Sequence, residues 1–344
     1  MVKSTQSITT QSADAHRPET DNTRNGSGAG GSAPRKRPRG LTRWIVGESR
    51  IKSYRQDRIV GFLLMLPMIL MIALLSFYPV LRVLSMSVRQ QSLYGGDSSF
   101  VGVQNFMTLM AEPIFAQALW NNIVFGFGSL FAQLIIGLVV ALVLNQQFYL
   151  RGAVRGTIMF SYLVPYVVAA ITFRFMLSDA TGILSYLINA SGLPISSSPF
   201  GSRDWAMPAV IAVNTWKNFP FMVIVFLARL QGISQDLYEG ASVDGARGYQ
   251  KFLHITFPLL LPTILVVGML RTIWNFNNFE VIFLLTSGGP LRMTLTFPIL
   301  IHRYVFGEFS MGRGSALATI VLVLLLAMAF VYWKLYEKMQ ERTE

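Results

Sequence analysis

Glu239-Gly-Ala-Ser-Val-Asp-Gly245, followed after nine residues by Ile255-Thr-Phe-Pro258, is a polar, helix-forming stretch held between two long apolar runs. Ser234 stands just ahead of Gln235-Asp236-Leu237, so a capping oxygen and an early acid mark a helix start, where negative charge favours the dipole. Leu237, Tyr238, Ala241 and Val243 supply an apolar side, against Asp236, Glu239 and Asp244 on the polar one. Gly245 permits a sharp turn that a residue with a Cβ resists. A second helical stretch carries Tyr249, Phe252 and Leu253 as anchors, and Pro258 marks the return to apolar sequence. These residues read as a compact helical hairpin over 229–258. A membrane protein usually presents such a hairpin to another protein; a hairpin that only caps a bundle is the plainer reading.

The rest of the chain is built for lipid. It has 344 residues, 52% hydrophobic and only 13% charged, with mean hydropathy +0.47. A soluble domain rarely combines such apolarity with so little charge, so the bilayer is the expected solvent. The net charge of +12 does not point to nucleic acid, because twelve of the 29 Lys and Arg residues precede residue 59. A basic tail beside a span marks the cytoplasmic side and its anionic leaflet. Cysteine is absent, which excludes disulfides, thiolate metal sites and cysteine nucleophiles. His16, His254 and His302 stand in separate regions, so neither a metal site nor a cofactor is expected. No GxxxxGK[ST] phosphate loop occurs, so any ATP must be bound by another chain, and no catalytic residue or enzyme activity is expected here.

Residues 1–40, rich in Ser, Thr, Gly and Arg, bury too little apolar surface to fold and read as a disordered basic cytoplasmic tail. No short apolar core with a cleavage site precedes the first span, so no cleaved signal peptide is expected. Residues 41–58 alternate Leu41, Trp44, Ile45, Ile51 and Tyr54 with basic residues, which suits an interfacial amphipathic segment or a solvated basic linker. A transmembrane domain follows over 59–338, with 339–344 as a cytoplasmic end. Six apolar segments near 60–81, 119–144, 154–177, 206–228, 259–286 and 315–335 each approach the ~20 residues that a ~30 Å hydrocarbon core requires. Pro67 and Pro165 fall inside spans, which membrane helices tolerate when neighbours satisfy the freed carbonyls. With the N-terminus inside, cytoplasmic segments carry twenty Lys and Arg against six outside, so both termini are expected in the cytoplasm. The fold class is an all-α, multi-pass membrane protein of six transmembrane helices, with the hairpin between helices 4 and 5.

Polar residues recur on shared faces of three spans. Arg271, Asn275 and Asn278 fall at i, i+4 and i+7; Asn214, Lys217 and Asn218 at i, i+3 and i+4; Tyr162 and Tyr166 form a third stripe. A basic side chain at mid-membrane costs ~2.5–3.5 kcal/mol, so Lys217 and Arg271 should face a cavity or partners. Amides and tyrosines suit a sugar, because they donate and accept toward hydroxyls while aromatic faces cover C–H surfaces. Interhelical bonding, with Lys217 or Arg271 paired to Glu280, is the plain alternative. Two cations also admit an anionic substrate, such as a sugar phosphate or uronide.

Glu239, Ala241 and Gly245, with Ile255 and Pro258 at the right distance, resemble the EAA---G---------I-LP signature of ABC importer permeases. Gly240 replaces the second Ala and Phe257 the Leu. Phe100-Val-Gly-Val-Gln-Asn-Phe106, Asn214-Thr-Trp-Lys-Asn-Phe-Pro-Phe221, Asp244-Gly-Ala246 and Leu285-Thr-Ser-Gly-Gly-Pro290 resemble the maltose-type branch of binding-protein-dependent sugar permeases. Residues 1–58 are not covered. The resemblance implies a type I ABC importer permease fold in a prokaryotic inner membrane, with no cofactor of its own. Implied partners are a second homologous permease, an ATP-binding subunit dimer and an extracytoplasmic sugar-binding protein. It implies ATPase coupling through Glu239, Gly240, Ala241, Asp244, Gly245, Ile255 and Pro258, and it supports the three polar stripes as the substrate path. Two rivals stand beside it: a secondary transporter driven by an ion gradient, for which Glu280 is the only acidic candidate, and a non-transporting membrane scaffold.

Overall fold

Prolines and amides decide where the apolar runs bend. The computed structural model describes residues 58–95, 98–178, 180–192 and 198–341. The expected tail (1–40), all of the interfacial segment except Arg58, and residues 342–344 lie outside the described residues. Two units are distinguished: residues 1–68, whose described part opens the first apolar helix, and residues 69–344, which hold the rest of the fold.

Among the described residues, five helices are long and apolar enough to cross a membrane: α1 (Arg58–Ser87), α3 (Pro113–Asn145), α7 (Ala206–Gln231), α9 (Gly248–Phe276) and α12 (Met311–Gln340). A sixth crossing requires α4 (Arg151–Leu163) and α5 (Tyr166–Met176) to count as one span. The expected third span, 154–177, is therefore not one straight helix; its halves meet at 96°. Pro165 has no N–H to continue the ladder, and its ring drives Val164 into an extended conformation (ψ 128°). The expected fifth span, 259–286, also ends early, at Phe276. After it, Asn277 donates to the Ile273 carbonyl (3.2 Å) and the Asn278 Oδ1 accepts from the Val281 N–H (3.2 Å). Short amide side chains compete with the helical ladder in this way, and α10 (Glu280–Leu285) starts anew. At its other end α9 reaches back to Gly248, so half of the hairpin is the root of this span.

α7 is the centre of the bundle, with 61% of its apolar window buried, more than any other span. It packs along α3 so tightly that a Cβ on Gly137 would collide with the Cβ of Met222. Small residues let membrane helices approach this closely, where dispersion replaces the missing hydrophobic drive. Two apolar clusters lie along these helices. One gathers Phe125, Val210, Val213, Phe297 and Leu317; the other gathers Leu130, Leu144, Met222, Phe226, Leu260 and Val267. Between them α3, α7 and α9 place buried Gln133, Asn214, Lys217, Asn218, Arg271 and Asn275. The fold thus holds a polar layer between two dry ones, which is where the site lies.

On the face opposite the hairpin, two loop regions join. β1 (Arg89–Gln90) pairs antiparallel with β2 (Ser99–Phe100), and Ser92 bridges Ser310 ahead of α12. Asn105, in α2 (Gln104–Ala111), donates to the carbonyls of Ser87 and Arg89, both at 2.9 Å. α6 (Ile183–Ser191) lies beyond α5, and α11 (Phe297–His302) runs into a π-helical turn, Arg303–Gly307. Arg313 pairs with Glu112, just ahead of α3, and with Glu308 (3.0 Å), while Tyr304 donates to the Glu112 Oε2 at 2.8 Å. Burial first, and then this bond and the Glu112 charge, push the Tyr304 hydroxyl well above its ordinary pKa.

Candidate functional site

A cavity of about 430 Å³ opens in the polar layer, lined by Tyr162, Tyr166, Lys217, Asn218, Arg271, Trp274, Asn275 and Asn278. Seven of the eight residues expected on the substrate path are therefore brought to one cavity. The break at Pro165 matters here: it sets Tyr162 near the end of α4 and Tyr166 at the start of α5, so both rings turn toward α7. The Lys217 ammonium sits 5.1 Å from the centroid of each ring and donates to the Tyr162 carbonyl at 2.5 Å. Ring faces and a carbonyl thus disperse a charge that lipid would not tolerate.

Arg271 is the hub of the opposite wall. Its Nε donates to the Gln133 Oε1 at 2.9 Å, and its Nη atoms reach the Asn218 Oδ1 (3.4 Å) and the Asn275 Oδ1 (3.5 Å). The guanidinium also lies over the Trp274 ring, 5.4 Å from its centroid. Neither cation pairs with Glu280; the expected alternative of such an ion pair does not hold, because amides and rings surround both. Tyr166 donates to the Asn218 Oδ1 at 2.8 Å, which joins α5 to the same network.

Asn214 is the eighth expected residue, and it does not reach the cavity. It is 0% exposed, and its amide faces other amides: it donates to the Asn275 Oδ1 (3.2 Å) and accepts from Asn218 (2.9 Å) and Asn278 (3.3 Å). Around α7 Asn214 falls between Lys217 and Asn218, but it lies a turn closer to the start of the helix and is bonded to the Asn275 and Asn278 amides there, so it holds the lining amides from behind. Asn278 belongs to the lining although it stands beyond the end of α9, so its heptad relation to Arg271 is not one continuous helical face. Sequence reasoning missed Trp274 and Gln133. Trp274 is 46% exposed and carries a large ring to the cavity. Its i+3 spacing from Arg271 was the available signal. Gln133, buried with its Nε2 unpartnered, stood out as a lone amide in an apolar run.

The hairpin forms as two arms. α8 (Gln235–Val243) is capped by the Ser234 hydroxyl, which accepts from the Asp236 N–H. It ends in a Schellman turn: Ala246 N–H bonds the Ala241 carbonyl (2.8 Å), Gly245 N–H bonds that of Ser242 (3.0 Å), and Gly245 takes φ +76°. The second arm opens α9, with the Arg247 N–H donating to the Gln250 Oε1 at 2.7 Å. Of the expected apolar side of α8, only Tyr238 and Ala241 are half-buried; Leu237 is exposed and Val243 is 88% exposed. In the second arm Phe252 and Ile255 turn inward, while Tyr249 and Leu253 face outward with Pro258. Glu239, Gly240, Asp244 and Gly245 are all exposed. A Cβ on Gly240 would meet nothing within 4 Å, so the usual Ala has room there. The hairpin therefore offers an apolar and acidic outer surface held on a defined turn.

Residues 133–338, which hold every cavity residue and the hairpin, match the family described as binding-protein-dependent transport system inner membrane component. The chain is 32% identical over 288 residues to the trehalose/maltose transport system permease protein MalF of Thermococcus litoralis, covering 83% of this chain and 96% of that one. It is 31% identical over 280 residues to the sulfoquinovosyl glycerol transport system permease protein SmoG of Agrobacterium fabrum, covering 81% and 91%. A crystal structure of a bacterial ABC transporter involved in import of the acidic polysaccharide alginate shares the fold, with TM-score 0.74 at 24% identity over 84% of this chain and 99% of that one. The helices described above thus make the all-α, membrane-spanning fold of a type I ABC importer permease. By sequence match, fold and the hairpin between α7 and α9, the chain belongs to the binding-protein-dependent transport system inner membrane component family.

Proposed function

We propose that this chain forms half of the translocation pathway of an ATP-driven carbohydrate importer and takes its driving force through the hairpin. The observation that carries the reading is the connection of the hairpin to the cavity: its first arm follows α7 after a three-residue turn, and its second arm is α9 itself. Those two helices supply Lys217, Asn218, Arg271, Trp274 and Asn275, and Asn278 follows just after the end of α9. Movement of the hairpin therefore moves both walls of the cavity. ATP binding in a pair of ATPase subunits would draw the hairpins together and turn the cavity outward; hydrolysis would reset it. The hairpin and both termini then lie in the cytoplasm, a second homologous permease completes the path, and a sugar-binding protein delivers substrate from outside. The chain performs no bond chemistry in this scheme. Exposed Leu237, Val243, Tyr249 and Leu253 around Glu239 and Gly245 supply the surface that the ATPase subunit covers.

Carbohydrate is the substrate class that suits the lining: amides and phenols for hydroxyls, and an indole face for C–H surfaces. The two similar permeases carry names for trehalose/maltose and for sulfoquinovosyl glycerol, which supports the class. An anionic carbohydrate is the second reading, favoured by two cations and no carboxylate in the lining. We rank neutral sugars first because protein groups already surround both cations. The same absence of an acid in the lining weighs against an ion-coupled carrier. Alanine at Trp274, Asn275 and Asn278 tests the reading: uptake falls while hydrolysis stimulated by loaded binding protein largely survives. Unchanged uptake in all three removes the cavity from the path.

A further inference from the structure

We propose that two side-chain bonds across the hairpin, Tyr238 to Thr256 and Lys251 to Ser242, are the struts that transmit force from the hairpin tip to the cavity. The inference rests on the coupling reading above and names the positioning residues that make it work. Gly245 makes a turn possible, but a glycine turn alone is a hinge: pushed from outside, one arm could fold against the other without moving the span. The cross-links oppose this. The Tyr238 and Thr256 hydroxyls are 2.9 Å apart, and the Lys251 ammonium donates to the Ser242 hydroxyl at 2.6 Å. Tyr238 and Ala241 are the half-buried residues of α8, so the arm is otherwise exposed and gains little from apolar packing. Thr256 is buried and lies at the root of the membrane-spanning part of α9. A push on α8 therefore arrives, through one phenol, at the point from which the whole helix tilts. From Thr256 to Arg271 a helix rises roughly 22 Å, so a small tilt at the root displaces the cavity wall. The Ser242 hydroxyl also donates to the Tyr238 carbonyl at 2.7 Å, so the second strut is braced within its own arm.

The absence of cysteine makes a direct test possible in the intact complex, purified with its partner permease and ATPase subunits. Asn278→Cys places one thiol in the cavity, and its labelling by a membrane-impermeant maleimide, with and without ATP and vanadate, reports whether the cavity opens outward. In Tyr238→Phe or Thr256→Val the ATP-dependent rise in labelling falls about fivefold, the factor that one hydrogen bond is worth. ATP hydrolysis and subunit assembly are unchanged, Thr256→Ser restores the response, and the double variant is no worse than either single one. A full response in both single variants, additive losses, or failure of both to assemble would overturn the proposal. Gly245→Trp separates this from the reading beneath it. If that variant loses the response while the strut variants keep it, only the struts are wrong; if it also keeps the response, the hairpin does not couple at all.

Discussion

Replacing Arg271 with Gln separates a cation kept for transport from one kept for stability. The two side chains share their path as far as the atom after Cδ, so the Gln Nε2 takes the place of the Arg Nε. The shortest bond that Arg271 makes, to the Gln133 Oε1 at 2.9 Å, is therefore retained. Two longer bonds are lost, to Asn218 at 3.4 Å and Asn275 at 3.5 Å, together worth ~1–3 kcal/mol, and with them the contact over the Trp274 ring, worth ~0.5–1 kcal/mol. Against this stands the removal of a mid-membrane charge, which insertion scales put at ~2.5–3.5 kcal/mol. The balance runs from about 1.5 kcal/mol of destabilisation to about 2 kcal/mol of stabilisation, so the purified complex should melt close to the wild-type temperature. Transport should respond more strongly. A charge-assisted bond to substrate is worth ~1.5–3 kcal/mol, so uptake at low sugar concentration should fall roughly 10- to 150-fold. Thermal unfolding of the complex and the sugar dependence of uptake are the two measurements. A destabilisation above ~2 kcal/mol with normal uptake would show that the guanidinium serves the bundle rather than the cargo.

Two further outcomes follow from the packing. Gly137→Val pushes a branched side chain into Met222 and should cost ~1–3 kcal/mol by overpacking α3 against α7, read as a lower melting temperature with the hairpin surface unchanged. Tyr304 is held neutral by burial and by Glu112, so its folded pKa lies above that of the unfolded chain. The unfolded chain ionises first as pH climbs past ~10, so this contribution to stability is whole below that pH and is lost above it. Thermal scans of wild type and Tyr304→Phe between neutral and strongly alkaline pH should differ in the steepness of the alkaline fall, and parallel curves would refute the assignment.

The hairpin was legible residue by residue because its signals are local. A capping Ser234, an early acid, Gly245 at a turn that needs positive φ, and a proline at the root each act within a few residues of themselves. The spans were legible for the same reason, since apolar length answers to one requirement, the thickness of the bilayer. The breaks were less so. Pro165 was visible, yet whether it kinks a helix or splits it by 96° depends on what packs beside the freed backbone groups. Asn278 read as a member of a stripe, but its amide and that of Asn277 turned back onto the chain and ended α9 instead. The apolar side of α8 was visible too, but not how it divides: Tyr238 and Ala241 are half-buried, whereas Leu237 and Val243 are exposed.

The sequence alone determined the solvent, the spans and the elbow, because hydropathy, capping and glycine chemistry depend on neighbours along the chain. It also determined which residue types would gather in the buried polar layer, since a Lys and an Arg in an apolar run must find polar company. Only the tertiary structure decided how that company is shared. Three helices close a polar layer between two dry clusters, and within it Trp274 enters the cavity while Asn214 is withdrawn behind it. The physical reason is that a periodicity fixes a face to within a wide arc, whereas lining or backing a cavity is settled by a few ångströms of approach between helices, which no stretch of sequence specifies by itself.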